Sequence, residues 1–278
     1  MNEKKGNLFN GCLFVYGSRG GTMILLIGLV IIGTIIVSSM YLNAHRNHLL
    51  EHHVYTERGI EESKQIFFIS DTHNRNISKR LLQKLQAYPV DWIIIGGDFA
   101  DKRTSVQKIE GNLKKLTAIA PTFFVWGNND EEVGEETIRQ LMKKYGVTIV
   151  ENESVILTSD QNVFRLSAVD FHEKEGKVEQ ALSDCKTEEV LLFVAHNPQE
   201  FEYVQYISKP LIMMGGHYHG GQIRLGKYSV FPKGSFDEQN GVYTLISNGY
   251  GTTLLPLRLG APVQTHILTI KVHKKTAS

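Results

Sequence analysis

Between residues 66 and 146 one pattern occurs three times: a short apolar run, a polar loop, then apolar residues at helical spacing. The runs are Ile66-Phe67-Phe68-Ile69-Ser70, Trp92-Ile93-Ile94-Ile95 and Thr122-Phe123-Phe124-Val125-Trp126. Each has the length and continuity of a strand buried on both faces. Ile77, Leu81, Leu82 and Leu85 mark the first helix, and Val106, Ile109, Leu113 and Leu116 the second. Ile138, Leu141, Met142 and Tyr145 mark the third, which Gly146 closes. This succession predicts a parallel sheet covered by helices.

Downstream the pattern changes. Three short strands without helices are predicted over 147–150, 155–157 and 164–169, then a short helix around Val178, Ala181 and Leu182. A buried strand over Val190 to Val194, a helix over Glu200 to Ile207 and the run Leu211-Ile212-Met213-Met214 follow. Alternation in Val242 to Ile246 and in His266 to Val272 predicts antiparallel strands. Two packed sheets with helices outside accommodate all of these.

In open α/β sheets, ligands sit beyond the carboxyl ends of the strands. Five strand ends here finish in metal-ligand residue types: Asp71 and His73, Asp98, Asn128, His196, and His217 with His219. Singly, each has a plain role. Asp98 can cap a helix, Asn128 can occupy a left-handed turn, and His196 can be a loop histidine. Their arrival at one edge is what points to a metal site. Imidazoles, carboxylates and one amide oxygen suit Mn, Fe, Zn or Ni, with Mn favoured, and no thiolate is among them. Seven ligands are too many for one ion. Two ions sharing Asp98 use them all and can activate a bridging hydroxide while gripping phosphate oxygens.

Asp71-x-His73, Gly97-Asp98, Gly127-Asn128, His196 and Gly216-His217-x-His219 resemble, in order, the five motifs of the calcineurin-like metallophosphoesterases. The resemblance covers roughly residues 65 to 273. Gly216 to Gln222, and Ser247 to Thr252 followed by Pro256 and Arg258, are similar to the membrane-anchored bacterial branch. Some enzymes of that branch split the pyrophosphate of UDP-2,3-diacylglucosamine. The resemblance implies an α/β fold, a four-layer αββα sandwich. It implies one metal on Asp71, His73, Asp98 and His219, and a second on Asp98, Asn128, His196 and His217. It further implies a phosphoesterase that cleaves a phosphodiester, pyrophosphate or phosphomonoester by attack of a metal-bound hydroxide.

One position departs from the family. Its third motif usually continues with a histidine, where this chain has Asn129. An amide cannot act as general acid, so leaving groups that depart unprotonated are expected to be preferred. His172, at another strand end, is an alternative source of the acid beside its plain reading as a surface loop histidine. Asn129 also supports an alternative, a metal-binding protein with little or no catalysis. Arg75, Arg224 and Arg258 can contact phosphate or be solvated, and Asp130 is expected as a helix N-cap.

Thr22 to Ala44 carries no charge and is long enough to span a bilayer as a helix. Lys4, Lys5 and Arg19 precede it, which favours a cytoplasmic N-terminus and an extracytoplasmic catalytic domain. A cleaved signal peptide is the competing reading, with Val37-Ser38-Ser39 a poor cleavage site. A cytoplasmic catalytic domain is a further possibility. The expected organisation is a cytoplasmic segment 1–21, a transmembrane helix 22–44, a solvated linker 45–64, the catalytic domain 65–273 and a tail 274–278. His45, His48, His52 and His53 lie in that linker, where a metal tract is the other reading. Cys12 and Cys185 flank the apolar run on opposite sides, so no intramolecular disulfide is expected. A net charge of +1 gives no footprint for nucleic acid. The expected partners are a phosphorylated substrate, which the anchor suggests is lipid-linked or from the cell envelope, and the membrane itself.

Overall fold

The computed structural model describes residues 11–157 and 159–272. Lys4, Lys5 and the expected tail 274–278 lie outside the described residues. Helix α1 (Gly11–Ala44) comes first, and its part Gly21–Ala44 is long and apolar enough to cross a membrane, with its most apolar stretch exposed throughout. Among the described side chains of the helix, the buried ones are at its C-terminal end. Met40 and Ala44 are buried, and the Met40 carbonyl accepts the Arg258 backbone N–H at 3.1 Å.

The elements that follow are β1 (Leu49–Thr56), β2 (Glu62–Ile69), α2 (Lys79–Leu85), β3 (Trp92–Gly96), α3 (Val106–Thr117), β4 (Thr122–Val125), α4 (Glu135–Lys144) and β5 (Thr148–Ile149). Then come β6 (Glu153–Leu157), β7 (Phe164–Val169), α5 (Lys177–Leu182), β8 (Val190–Ala195), α6 (Glu200–Ile207), β9 (Ile212–Gly215), β10 (Ser235–Gln239), β11 (Val242–Ile246) and β12 (Thr265–Val272). They form two six-stranded sheets, in the orders β1-β12-β2-β3-β4-β5 and β10-β11-β9-β8-β7-β6.

Side-chain alternation sets the layers. On β2, Ile66 and Phe68 face the second sheet and, together with Ile94 of β3, pack against Leu166, Leu192 and Met214. Phe67 and Ile69 point the other way, onto Leu81 of α2, Ile109 and Leu113 of α3, and Ile138 of α4. Across the molecule, Phe193 and Met213 meet Val178 of α5 and Val204 of α6. The result is the expected αββα sandwich. Gly146 closes α4 with φ of 66°, and the Val147 N–H reaches back to the Met142 carbonyl at 2.9 Å.

Two expectations need correction. The segment 45–64 is not a solvated linker, because β1 pairs in parallel with β12 from Leu49↔Thr265 to Thr56↔Val272. Its alternation is hidden by histidines. His52 lies on the same face as buried Val54, and its Nε2 sits 3.0 Å from His266 Nδ1, so it serves neither a solvated linker nor a metal tract. The tail strands are not simply antiparallel either. β12 is antiparallel to β2 but parallel to β1, and β11 is parallel to β9 and antiparallel to β10.

Candidate metal centre

Strands β2, β3 and β4 are mutually parallel, as are β7, β8 and β9, so the loops after them gather at one edge of the sandwich. The chain turns sharply there. Asp71, His73, Asp98, His217 and His219 have φ of 51°, 47°, 51°, 69° and 50°, the left-handed region that costs a non-glycine residue free energy. These turns aim five side chains at a common volume. Glycines make the approach possible: a Cβ on Gly216 would fall on the Asp71 carboxylate, and one on Gly127 on Asp98.

Asp71, His73, Asp98 and His219 are buried and bring their donor atoms within 4.8 Å of one another. His73 Nε2 stands 3.0 Å from His219 Nε2 and 3.8 Å from Asp98 Oδ2, and His219 Nε2 is 3.3 Å from Asp71 Oδ1. Asp98, His196 and His217 form a second group of the same compactness that shares Asp98. Within it His196 Nε2 lies 3.2 Å from Asp98 Oδ2. Among the described residues His196 Nε2 is buried against that carboxylate without a hydrogen bond of regular geometry, while its Nδ1 is fixed 2.9 Å from the Gly96 carbonyl. A buried imidazole nitrogen aimed at a carboxylate in this way is what a metal ligand looks like. Asn128 is exposed at the mouth of a cleft of about 250 Å³ that Asp98, Asn129, His217, Tyr218 and His219 also line.

The electrostatics are those of crowded donors. Burial alone would lower the His196 imidazole, but the Asp98 carboxylate, with Asp71 behind it, raises it to about 10. Burial works against the charge on Asp98 too, yet His196 and His73 hold it well below the usual carboxylate range. Burial drives His219 down to about 3. Protons and imidazolium charge offset the carboxylates here, the balance that cations would supply. The donor set therefore fits divalent metal.

Several supporting residues were not legible as such. Asp101 Oδ2 is 3.3 Å from His73 Nδ1, where a carboxylate orients a ligating imidazole and strengthens it as a donor, and Arg103 forks onto Asp101 in turn. Asp130 is fully buried and is not a helix cap. Its carboxylate accepts the N–H groups of Asp98, Ala100 and Gly127, each at 2.9 Å, and so ties the second motif's loop to the third's. Burial, then the Asp98 charge, raises it to about 7. Arg258 is fully buried and donates to the carbonyls of His219 at 3.1 Å, Ala261 at 3.1 Å, and Asn248 and Gly251 at 2.7 Å each. It braces the last motif and is not free for phosphate. Arg75 stacks 3.8 Å from the Tyr250 ring centroid and donates to the Arg46 carbonyl at 2.7 Å, and Arg224 donates to the carbonyls of Gly220 and Gly226.

Of the two candidate catalytic residues, Asn129 is in the site. Its backbone N–H donates to Asp98 Oδ1 at 2.8 Å and its Nδ2 to Asp98 Oδ2 at 2.6 Å. His172 lies after β7, half exposed, with Nε2 2.9 Å from Glu131 Oε1, and it does not line the cleft.

The family model for the calcineurin-like phosphoesterase superfamily domain matches residues 65–231. The chain belongs to the calcineurin-like phosphoesterase superfamily. The metallophosphoesterase is 36% identical over 245 residues to the uncharacterized protein YpbG of Bacillus subtilis (strain 168), covering 87% of this chain and 95% of that one. It is 30% identical over 173 residues to the phosphodiesterase YaeI of Escherichia coli (strain K12), covering 58% and 62%. Among solved structures, TT1561 of Thermus thermophilus aligns with a TM-score of 0.48 at 11% identity, over 68% of this phosphoesterase and 91% of that chain. As its sequence motifs predict, it is a hydrolase whose metal-binding cluster is built from Asp and His.

Proposed function

We propose that this metallophosphoesterase is dinuclear, membrane-anchored and acts on a phosphodiester or pyrophosphate, with phosphomonoesters of acidic leaving groups as further substrates. The observation that carries the reading is the pair of donor groups meeting at Asp98. Asp71, His73, Asp98 and His219 would hold one ion, and Asp98, Asn128, His196 and His217 the other, with Mn favoured among Mn, Fe, Zn and Ni. Two such ions, when bound, neutralise phosphate oxygens and acidify a water into a nucleophile at neutral pH. The chain's own residues position them: Asp101 fixes His73, Gly96 fixes His196, and Asp130 joins the loops that carry Asp98 and Asn128.

Retention of α1 as an anchor is supported by the length and apolarity of Gly21–Ala44 and by the poor cleavage site at Val37-Ser38-Ser39. The helix end also meets the domain, where the Met40 carbonyl receives the N–H of Arg258, the residue that braces His219. The positive-inside pattern supports a catalytic domain outside the cytoplasm, anchored in a cell membrane that the chain crosses once.

The test is hydrolysis of bis-p-nitrophenyl phosphate, p-nitrophenyl phosphate and a nucleotide-sugar lipid by the full chain with added Mn²⁺, beside Asp98→Ala. Metal-dependent turnover that the variant loses supports the reading. Two bound metals with no turnover on any substrate would favour the second reading, a metal-binding protein with little catalysis, for which Asn129 is the argument.

A further inference from the structure

The metal cleft is separated from the end of α1 by a strongly apolar rim. Leu225, Tyr228 and Val230 lie on the loop after the last metal motif, and Leu254 and Leu255 on the loop after β11. Leu225 is 70%, Val230 89% and Leu254 83% exposed. Single exposed leucines are ordinary, whereas a contiguous group marks a surface that meets something. Leu254 adds a second sign. It adopts a φ of 52°, so the fold places backbone strain on a leucine that it then leaves in the open.

The two loops form one body. Gln222 Nε2 donates to the carbonyls of Thr253 at 3.0 Å and Leu255 at 3.2 Å, and Gln222 Oε1 accepts the Thr253 N–H at 2.9 Å. Gln222 and Thr253 also line the metal cleft. On the other side, Leu254 and Pro256 share a hollow of about 390 Å³ with Ala44 and His45, where α1 leaves its apolar stretch. Met40 is tied to Arg258 just beyond. Helix exit, rim and cleft thus follow one another along a single face.

The charge on the two rim loops is one-sided. No Asp or Glu occurs from Tyr203 to Phe236, nor from Gln239 to the C-terminus, whereas Arg224, Lys227 and Lys233 are set among the rim's apolar residues. Apolar and aromatic tips with basic neighbours suit the interface of an anionic bilayer.

We propose that this rim docks on the same bilayer that α1 enters, so that the metal cleft receives phosphate groups of amphiphilic lipids presented at the membrane surface. The occupant is the lipid surface, chosen because α1 ends beside the rim. The substrate part of the proposal rests on the phosphoesterase reading above, and the rim part does not.

The full chain, with Cys12 and Cys185 replaced by serine, is reconstituted into vesicles containing anionic phospholipid, with single nitroxide labels at Leu225, Val230 or Leu254. Tyr206, 86% exposed on α6, is the control. Power saturation with oxygen and a water-soluble nickel complex should place the three rim labels at or below the lipid phosphates and the Tyr206 label in water. Rim labels as water-accessible as Tyr206 would overturn the proposal. So would spin–spin broadening between copies without oxygen access, which would mean that a second copy covers the rim.

In parallel, Leu225→Asp/Val230→Asp is compared with the parent on two aryl phosphodiesters, one lipid-linked in the vesicle and one soluble. Both residues are exposed, and neither lines the cleft. The variant should lose at least about tenfold on the lipid-linked diester and keep its rate on the soluble one, as expected for lost interfacial binding. Equal rates on both substrates in both proteins would overturn the delivery role. Hydrolysis of neither would be a failure of the phosphoesterase reading, and the label depths would then decide the rim alone.

Discussion

Asn129 holds both oxygens of Asp98, through its backbone N–H at 2.8 Å and its side-chain amide at 2.6 Å. The residue that replaces the family's usual histidine is therefore occupied with the shared carboxylate of the two donor groups. Asp130, its neighbour, grips the same loop through the Asp98 N–H.

Such an amide has no proton to give a departing alkoxide. We expect aryl and nucleotide leaving groups to be cleaved well and alkyl monoesters to lag by about 10²-fold or more, the usual worth of a general acid. Asn129→His should narrow the gap by raising alkyl turnover. Comparable kcat/KM for an alkyl and an aryl phosphate in the unaltered protein would show that another group, such as His172, delivers the proton.

Asp101 gives a second prediction. Its carboxylate faces His73 Nδ1 at 3.3 Å, and Arg103 immobilises it. Asp101→Asn keeps the shape and removes the charge that makes the imidazole a strong donor. Metal affinity should fall about 10–100-fold, with activity restored at high Mn²⁺. A Mn²⁺ titration of activity, with calorimetry alongside, reads this directly. An unchanged half-saturation point would leave Asp101 a loop residue only.

The site was more legible than its support. Asp71, His73, Asp98, Asn128, His196, His217 and His219 follow apolar runs directly, and parallel strands must end at one edge, so the periodic pattern alone brings them together. Nothing in the pattern marks Asp101 or Asp130, because a carboxylate that orients a ligand or ties loops together has no preferred place relative to a strand. Arg258 escaped for another reason. Arginine is almost never fully buried unless paired, and here backbone carbonyls from two loops take the place of a carboxylate. β1 was lost because His52 occupies an inward position where the alternation should show an apolar residue.

Arg258 should be among the most costly positions to change. Its guanidinium satisfies four buried carbonyls, and no other side-chain donor among the described residues is placed to do so. Arg258→Met would orphan three of them, since the His219 carbonyl keeps the Gln222 N–H at 3.0 Å, at about 1–3 kcal/mol for each group left buried and unpaired. We expect a loss of at least about 3 kcal/mol in urea unfolding. Arg258→Lys should recover little, since an ammonium cannot reproduce the planar fork. Near-parent stability for Arg258→Met would mean that the loops after β9 and β11 are held from elsewhere.

The last prediction concerns acid. His266 is buried between sheets, with Nδ1 3.0 Å from His52 Nε2 and Nε2 2.9 Å from Ser247 Oγ. Burial, then the neighbouring His52, lowers it to about 3, against an ordinary value of 6.5. Between those values the unfolded chain binds a proton that the folded chain refuses. Stability from this group is therefore complete above about pH 6.5 and falls as pH drops towards 3, by about 1.4 kcal/mol per unit. At pH 5 the loss is about 2 kcal/mol. His52, itself lowered by burial and by His53, adds a contribution of the same sign. Urea unfolding at pH 7 and pH 5 should show this loss in the parent. In His266→Phe, which fills the site beside Phe68 without a titrating group, the difference between the two pH values should shrink by about 2 kcal/mol. Taking the difference between the two proteins cancels the titration of the metal ligands, which both share. An identical pH dependence would mean that His266 takes up its proton inside the folded sandwich, and that the β1–β12 pair opens to allow it.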